Sequence, residues 1–170
     1  MTLIGMDFEQ KDLADELGAA GFQKDMRTLF IWEGVTQYIS AEAVDNTLEF
    51  VSRVSGAGSA IVFTYVRRGL IDGTDRPEWM QSFLSFASRV GSPMIFGLDS
   101  AGLEQYLCEH GLRLVSDVGA AEYQELYLKP IGRQMNVFDG ERVVFAEVSE
   151  IVGGTGDMQP ASQLAKEVNG

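Results

Sequence analysis

One candidate site follows the apolar run Thr28–Trp32, where Glu33 and Gly34 come in succession. A carboxylate at the end of a strand can accept hydrogen bonds from an ammonium or hydroxyl group of a ligand, and a glycine lets the main chain approach that ligand closely. In open parallel sheets ligands bind beyond the carboxyl ends of the strands, where these two residues would lie. A solvated carboxylate in a surface loop is the alternative, and position alone leaves both interpretations open.

Two more residues could take part in binding near the same place. Asp7 follows the apolar run Thr2–Met6 and could accept a hydrogen bond from an exocyclic amine or a ribose hydroxyl, although an aspartate that stabilises a turn is more common. Tyr38 could supply a hydroxyl group, although an aromatic residue near a helix start more often packs in the core. Residue type and position alone therefore favour a structural role for both.

Several other reactive or aromatic side chains are expected to be structural. His110 stands at a helix end, where the helix dipole favours a partly charged imidazole, and Cys108 is expected to be a buried, small apolar side chain. The pair Arg67-Arg68 could bind an acidic substrate, but solvated surface arginines are more common. An apolar stripe at helical spacing is more often core than the lining of a substrate pocket, and this applies to Trp79, Phe83 and Phe86.

The first half of the chain alternates between strand and helix patterns. Thr2–Met6 is expected to be a strand, Asp12–Ala20 a helix, and Thr28–Trp32 a strand buried on both faces, because its apolar residues do not alternate with polar ones. Ser40 is placed as the N-cap of a second helix, and Ala60–Val66 is a further buried strand. This alternation predicts an α/β fold with a parallel sheet and helices on both faces.

The second half follows a different pattern. A loop leads to Pro77, which can open a helix placed to cap a site. A helix that ends at Gly111 comes next, followed by a short strand and a helix over Ala120–Leu128. Val137–Val148 predicts an antiparallel hairpin hinged at Asp139-Gly140.

Composition limits the classes of partner. The 170 residues carry a formal net charge of −12, from 13 Lys and Arg against 25 Asp and Glu, which disfavours nucleic acids and anionic membranes. One cysteine excludes an internal disulfide framework and a multi-cysteine zinc site. No apolar run approaches the ~20 residues of a membrane span, and no export signal opens the chain. We therefore expect a cytoplasmic protein.

The stretch Thr28–Ser40, which reads TLFIWEGVTQYIS, is followed by Glu42-Ala43-Val44 and resembles the leucine carboxyl methyltransferase-like family of S-adenosylmethionine-dependent methyltransferases. The family pattern is an apolar strand, then Glu-Gly-Val, then Tyr-Leu before a capped helix, and here Ile39 replaces the leucine. The resemblance extends to about Val148 through Met6–Phe8, Ala19–Phe22, Gly58–Tyr65, Phe96–Leu98, Gly111–Val115 and Arg142–Glu147.

The resemblance implies a Rossmann-like, class I methyltransferase sheet that holds S-adenosylmethionine at the strand ends. It places Asp7 and the main chain of Phe8 near adenine, and Glu33, with Gly34 beside it, near the sugar or amino-acid part of the donor. It also implies that Tyr38 faces the acceptor and acts as the catalytic residue. The implied activity is O-methylation of a small-molecule or carboxyl acceptor.

The chain also departs from the family pattern. The family's glycine-rich donor loop, the acidic residue after its second strand and an upstream arginine all precede the part that is resembled here. Residues 1–148 are therefore expected to be the C-terminal portion of a methyltransferase-like domain, and residues 149–170 a weakly structured tail. A non-catalytic binding or dimerisation module that has lost donor binding is the alternative function.

The same departure has a consequence for the sheet. In the family, two further strands lie between those that correspond to Thr2–Met6 and Leu29–Trp32, so the latter would carry an open edge. An open apolar edge is an aggregation hazard unless it is paired. We therefore expect that the two strands pair directly, or that another copy of the chain or a partner chain covers the edge.

Overall fold

The computed structural model describes residues 1–149, which form a four-stranded mixed sheet with helices. The strands are β1 (Leu29–Trp32), β2 (Ala60–Val66), β3 (Leu112–Val118) and β4 (Glu141–Val148). Their order in the sheet is β1-β2-β4-β3. β1 runs parallel to β2, whereas β4 is antiparallel to both β2 and β3. The predicted α/β class is confirmed.

One helix precedes β1, and the others lie in the connections between the strands. They are α1 (Leu13–Ala19), α2 (Ala41–Val54), α3 (Arg68–Asp72), α4 (Glu78–Arg89), α5 (Leu103–Glu109) and α6 (Ala120–Tyr123). Short 3-10 turns lie at Thr36–Tyr38, Ser100–Gly102 and Lys129–Ile131, and a π-helical turn at Gln124–Leu128 extends α6. No helix in residues 1–149 is long and apolar enough to span a membrane.

Local sequence explains where the first two helices begin. The carboxylate of Asp12 accepts the Ala14 N–H at 2.6 Å, and the Ser40 hydroxyl accepts the Ala43 N–H at 3.2 Å. Each cap satisfies main-chain donors that a helix start leaves without partners. The predicted helix Asp12–Ala20 and the predicted Ser40 cap are therefore confirmed.

One face of the sheet packs against α2 and α5 to form the main core. Its fully buried members include Leu48 and Val51 from α2, Phe63 from β2, and Leu107 from α5. His110 ends α5 there, with Nε2 3.2 Å from Asp45 Oδ1 and Nδ1 2.7 Å from the Tyr106 carbonyl oxygen. These contacts agree with the expected structural role of His110.

Three side chains predicted to be buried are exposed. Cys108 lies on the outer side of α5, because Leu103 and Leu107 form its buried side. In α4 the buried positions among the side chains that the structure describes are Met80 and Ala87, so the expected core stripe is wrong for Phe83 and Phe86, which are 42% and 54% exposed. A helix buries only the side that packs against its neighbours, and in α4 that side carries Met80 and Ala87 and not Phe83 and Phe86.

The N-terminal strand prediction is wrong. Thr2–Met6 forms no strand and does not pair with β1. β1 was expected to be buried on both faces, but Leu29 and Ile31 are 59% and 71% exposed. A strand needs a hydrogen-bonding neighbour, and within residues 1–149 β2 is the one strand that pairs with β1.

The C-terminal hairpin is confirmed only in part. β4 is antiparallel, as expected, but its neighbours are β2 and β3 and not the residues just before Asp139. β2 and β3 offer long apolar strands for pairing, whereas Val137-Phe138 offers two residues. The tail prediction lies outside the described residues except for Ser149, whose N–H donates to the Gly111 carbonyl at 2.9 Å.

Tyr65 and Tyr106 are expected to make the folded protein less stable at alkaline pH. Burial and the nearby charge of Asp117 raise the pKa of Tyr65, and burial and the hydrogen bond to Asp45 raise the pKa of Tyr106. Unfolding restores the ordinary tyrosine pKa of about 10 and releases protons above that pH. The free energy of unfolding should therefore be unaffected by these groups below pH 10, and above it should fall by up to about 1.4 kcal/mol per pH unit for each tyrosine.

Urea unfolding at several pH values tests this prediction. The slope above pH 10 should be smaller in Tyr65→Phe and in Tyr106→Phe than in the parent chain. Equal slopes in the parent and in both variants would contradict it.

Candidate functional site

The carboxyl end of β1 presents an open, polar turn. Glu33 and Gly34 follow Trp32 there, and both are exposed. Gly34 has φ of +70°, and a Cβ atom at this position would meet no atom within 4 Å. Residues other than glycine rarely adopt this φ, and the open space beside Gly34 would let a ligand approach the main chain closely. Glu33 makes no hydrogen bond or ion pair within residues 1–149.

Thr64 of β2 holds this turn in place. Its hydroxyl accepts the Gly34 N–H at 2.9 Å, and its carbonyl accepts the Thr36 hydroxyl at 2.8 Å. Thr64 and Thr36 are buried, at 6% and 0% exposure. The turn after β1 is therefore fixed to the neighbouring strand by two bonds that the local sequence does not reveal.

An aromatic contact brings the N-terminal segment to the same place. The ring of Phe8 stacks on Trp32, with centroids 6.1 Å apart and planes inclined by 30°. The carboxylate of Glu9 accepts both the Ser40 N–H at 2.6 Å and the Ser40 hydroxyl at 2.9 Å. Asp7-Phe8 therefore lies beside the end of β1, although Thr2–Met6 is not a strand.

The carboxylate of Asp7 takes part in its own turn. It accepts the Glu9 N–H at 3.0 Å and the Gln10 side-chain amide at 2.8 Å. Asp7 is also exposed. This is the turn role that residue type alone favoured, and each oxygen keeps a second lone pair for a ligand.

Trp32 carries a polar atom without a partner. Its side chain is 8% exposed, and its buried indole N–H has no hydrogen-bond acceptor among residues 1–149. A buried donor without an acceptor is costly, and such groups mark places where a ligand or water supplies the missing oxygen. The sequence singled out this residue only as the end of a strand.

Tyr38 lies on the turn that continues from this site. Its side chain is 41% exposed, which differs from the core position that its residue type favoured. The carbonyl of the preceding Gln37 accepts the N–H groups of Ile95 and Phe96 at 2.8 and 3.4 Å. The segment after α4 therefore lies next to the turn that contains Tyr38, whereas the capping role of α4 itself stays a prediction.

A second polar cluster lies farther along the same edge of the sheet. Arg142 donates through Nε to both carboxylate oxygens of Asp117 at 2.9 Å, and the Tyr65 hydroxyl donates to Asp117 at 3.1 Å. Burial lowers the pKa of Arg142, but hydrogen bonds and the charge of Asp117 raise it overall. Arg67 pairs with Asp75 and Asp139, so that it is neither free nor fully solvated.

The structure thus places Phe8, with Asp7 before it, against Trp32 at the end of β1. Glu33 and Gly34 lie in the turn that follows Trp32, and Tyr38 lies in the next turn. Sequence reasoning missed Thr64 and the unpartnered indole of Trp32, since both depend on contacts between distant parts of the chain. A candidate metal centre is absent, because no group of three potential ligands forms within the described residues.

The chain is similar in sequence to known proteins. Residues 1–52 match the family model of leucine carboxyl methyltransferase, which confirms the resemblance inferred from Thr28–Ser40. Proteins from Mycobacterium tuberculosis and Mycobacterium bovis, both named as candidate S-adenosyl-L-methionine-dependent methyltransferases, are 30% identical over 149 residues. The match covers 81% of this chain and 44% of those relatives. The chain therefore spans less than half the length of the curated relatives that it matches.

Solved structures show a more distant similarity. An O-methyltransferase family protein from Burkholderia thailandensis has 12% identity and a TM-score of 0.47, covering 82% of this chain and 34% of that one. The magnesium protoporphyrin IX methyltransferase of Synechocystis with bound SAH has 10% identity and a TM-score of 0.44, covering 85% and 49%.

Proposed function

We propose that this chain forms part of the donor site of an S-adenosylmethionine-dependent O-methyltransferase that acts on a small-molecule or carboxyl acceptor. The observation that carries the proposal is the convergence of Phe8, Glu33 and Gly34 at the carboxyl end of β1, in a chain whose residues 1–52 match the leucine carboxyl methyltransferase family. Ligands bind at this edge of open α/β sheets. The similarity to mycobacterial relatives supports the same donor.

The residues present fit S-adenosylmethionine. Glu33 is an exposed carboxylate that can accept hydrogen bonds from a ribose hydroxyl or from the ammonium group of the donor. Gly34 leaves room for the donor against the main chain. In this proposal Asp7 and the main chain of Phe8 lie near adenine, and a ligand oxygen supplies the acceptor that the Trp32 indole N–H lacks within residues 1–149.

Methyl transfer from S-adenosylmethionine requires the protein mainly to position the donor and the acceptor. When bound, S-adenosylmethionine supplies a methyl group on a positively charged sulfur, which an acceptor oxygen displaces in line. In this proposal the chain's own residues orient the donor and exclude water, and Tyr38 orients the acceptor. A carboxylate acceptor is already deprotonated at neutral pH, so this step needs no strong base.

A non-catalytic binding or dimerisation module is the second candidate. Two observations favour it: both oxygens of Asp7 accept hydrogen bonds within its own turn, and within residues 1–149 one edge of β1 has no neighbouring strand. Calorimetric titration with S-adenosylmethionine and with S-adenosylhomocysteine separates the two candidates. Saturable binding supports the donor site. The absence of binding by a folded chain, in each oligomeric state that the chain adopts, supports the non-catalytic module.

Thr64→Val tests whether the hydrogen bond from the Gly34 N–H to the Thr64 hydroxyl contributes to donor binding. Valine keeps the shape but removes the hydroxyl that accepts the Gly34 N–H, so the turn after β1 should loosen. We expect the dissociation constant of S-adenosylhomocysteine to rise about threefold to tenfold, corresponding to one hydrogen bond of ~1 kcal/mol. Thr47→Val is the control, since buried Thr47 bonds only within α2. If the two changes raised the dissociation constant equally, the hydrogen bond between Gly34 and Thr64 would have no specific role in binding.

A further inference from the structure

We propose that a cavity beyond the carboxyl end of β2 binds a carboxylate group of the acceptor through Arg67 and Arg68, which selects acceptors that carry a carboxylate over neutral ones. The inference deepens the proposed function and rests on it, because it assigns a chemical class to the acceptor.

The cavity lies where β2 ends. It has a volume of about 270 Å³ and is lined by Arg67, by residues of α3 and the turn after it, and by Leu98–Ser100. This volume is slightly below the range of roughly 300–1,000 Å³ that is typical of pockets for drug-sized ligands. The cavity therefore suits a small molecule, such as one with a single ring.

One main-chain segment joins this cavity to the turn that contains Tyr38. The Ile95 N–H donates to the Gln37 carbonyl at 2.8 Å, and the Arg68 N–H donates to the Leu98 carbonyl at 2.8 Å. Ile95 and Leu98 are three residues apart, so even an extended chain separates them by at most ~11 Å. The cavity is thus close to the turn whose Tyr38 is proposed to orient the acceptor.

Gly97 allows this segment to lie directly against the end of β2. A Cβ atom at this position would be 2.8 Å from the Val66 carbonyl oxygen and 2.9 Å from Arg68 Cα. Both distances are too short for a real side chain, so any other residue would push the segment away from Arg68. Close packing of the main chain therefore fixes this wall of the cavity.

The guanidinium group of Arg67 has more donors than the chain has acceptors for it. Nη1 donates to Asp75, Nη2 is 3.6 Å from the Asp139 carboxylate, which is too far for a hydrogen bond, and buried Nε has no partner within residues 1–149. The side chain is only 30% exposed, unlike the solvated surface arginine that its residue type favoured. A carboxylate has two oxygens that match adjacent donors of a guanidinium group.

Arg68 adds a positive charge without a partner. Its side chain is exposed, and its guanidinium makes no hydrogen bond or ion pair in the part of the chain that the structure describes. Three aspartates also line the cavity, and each accepts a hydrogen bond from another residue of this chain, namely Asp72, Asp75 and Asp99. The groups that lack partners in the cavity are therefore donors, and an anionic oxygen of a ligand satisfies them.

An NMR titration of the ¹⁵N-labelled full chain with 4-hydroxybenzoate tests the proposal. We expect saturable shifts at the amides of Arg67, Arg68 and Ser100 and at the Arg67 Nε–H. The neutral analogue 4-hydroxybenzamide has nearly the same shape but no charge, so it should bind about tenfold more weakly or less tightly still. No saturable shift at these groups, or equal affinity for the two compounds, would overturn the proposal.

Arg68→Gln is the variant that separates a binding role from a structural one. Because the Arg68 side chain is exposed and unpaired within residues 1–149, its replacement should leave the fold intact. It should weaken the binding of 4-hydroxybenzoate about fivefold or more and leave that of 4-hydroxybenzamide unchanged. Arg133→Gln is the matched control, since Arg133 is also exposed but does not line the cavity. Equal effects of the two variants would overturn the proposal.

Two further titrations identify what has failed if a result is negative. If inorganic phosphate binds at Arg67 and Arg68 as tightly as 4-hydroxybenzoate, the site accepts any anion and the assignment to a carboxylate is wrong. If 4-hydroxybenzoate binds there but S-adenosylhomocysteine does not bind the chain, the donor site is contradicted and the carboxylate site remains. Binding of S-adenosylhomocysteine without binding of 4-hydroxybenzoate would contradict the carboxylate site alone.

Discussion

We expect the replacement of Glu33 by alanine to weaken the binding of S-adenosylhomocysteine at least tenfold. The change removes a carboxylate that is exposed at the end of β1 and has no partner within residues 1–149, so it is free to accept hydrogen bonds from the ligand. A hydrogen bond to a charged group contributes about 1.5–3 kcal/mol, which corresponds to a factor of roughly 10 to 100 in affinity. Calorimetric titration of the parent chain and the variant measures this directly.

Glu104→Ala provides the matched control. Glu104 is also an exposed glutamate, but it lies in the first turn of α5, away from the end of β1. Its replacement changes the net charge by the same amount and should leave ligand affinity unchanged. If the Glu33 variant binds as tightly as the parent, or if both variants lose affinity equally, the cofactor assignment at Glu33 is wrong.

Asp117→Ala is expected to cost the protein about 3 kcal/mol of stability. Asp117 and Arg142 are 13% and 18% exposed, and the change leaves the guanidinium of Arg142 without its main partner. It also removes the carboxylate that accepts the hydrogen bond from the hydroxyl of fully buried Tyr65. Removing one member of a buried ion pair costs roughly 3–5 kcal/mol, mainly because an uncompensated charge remains. We place this pair at the lower end because Glu122 lies 3.7 Å from Arg142.

Urea unfolding of a double-mutant cycle tests this expectation. Asp117→Ala with Arg142→Met removes both charges, so the double variant should be more stable than Asp117→Ala alone. A loss below about 1 kcal/mol in Asp117→Ala would show that the pair behaves as an ordinary surface ion pair.

The elements fixed by local sequence were predictable. Asp12 and Ser40 cap their helices through residues two or three positions away, and such short-range patterns can be read directly. The same holds for Glu33 and Gly34, because their place at the end of β1 depends only on where the apolar run stops. The resemblance added an expected role for each of them.

The features that depend on distant contacts were not predictable. The bond between Gly34 and Thr64 joins residues 30 positions apart. Thr2–Met6 has the composition of a strand, but strand formation requires a neighbour, and composition does not reveal whether one is present. In the same way the apolar character of Ile31 predicts burial, whereas its 71% exposure follows from the absence of a covering layer within residues 1–149.

The most direct measurement of the central claim is an NMR titration of the ¹⁵N-labelled chain with S-adenosylhomocysteine. The account predicts saturable shifts that are largest at the amides of Phe8, Glu33 and Gly34 and at the Trp32 indole N–H, with adenosine alone moving mainly Phe8. A partial site should show them even if its affinity is only of millimolar order. No saturable shift, or shifts confined to residues away from the carboxyl end of β1, would contradict a donor site in this chain.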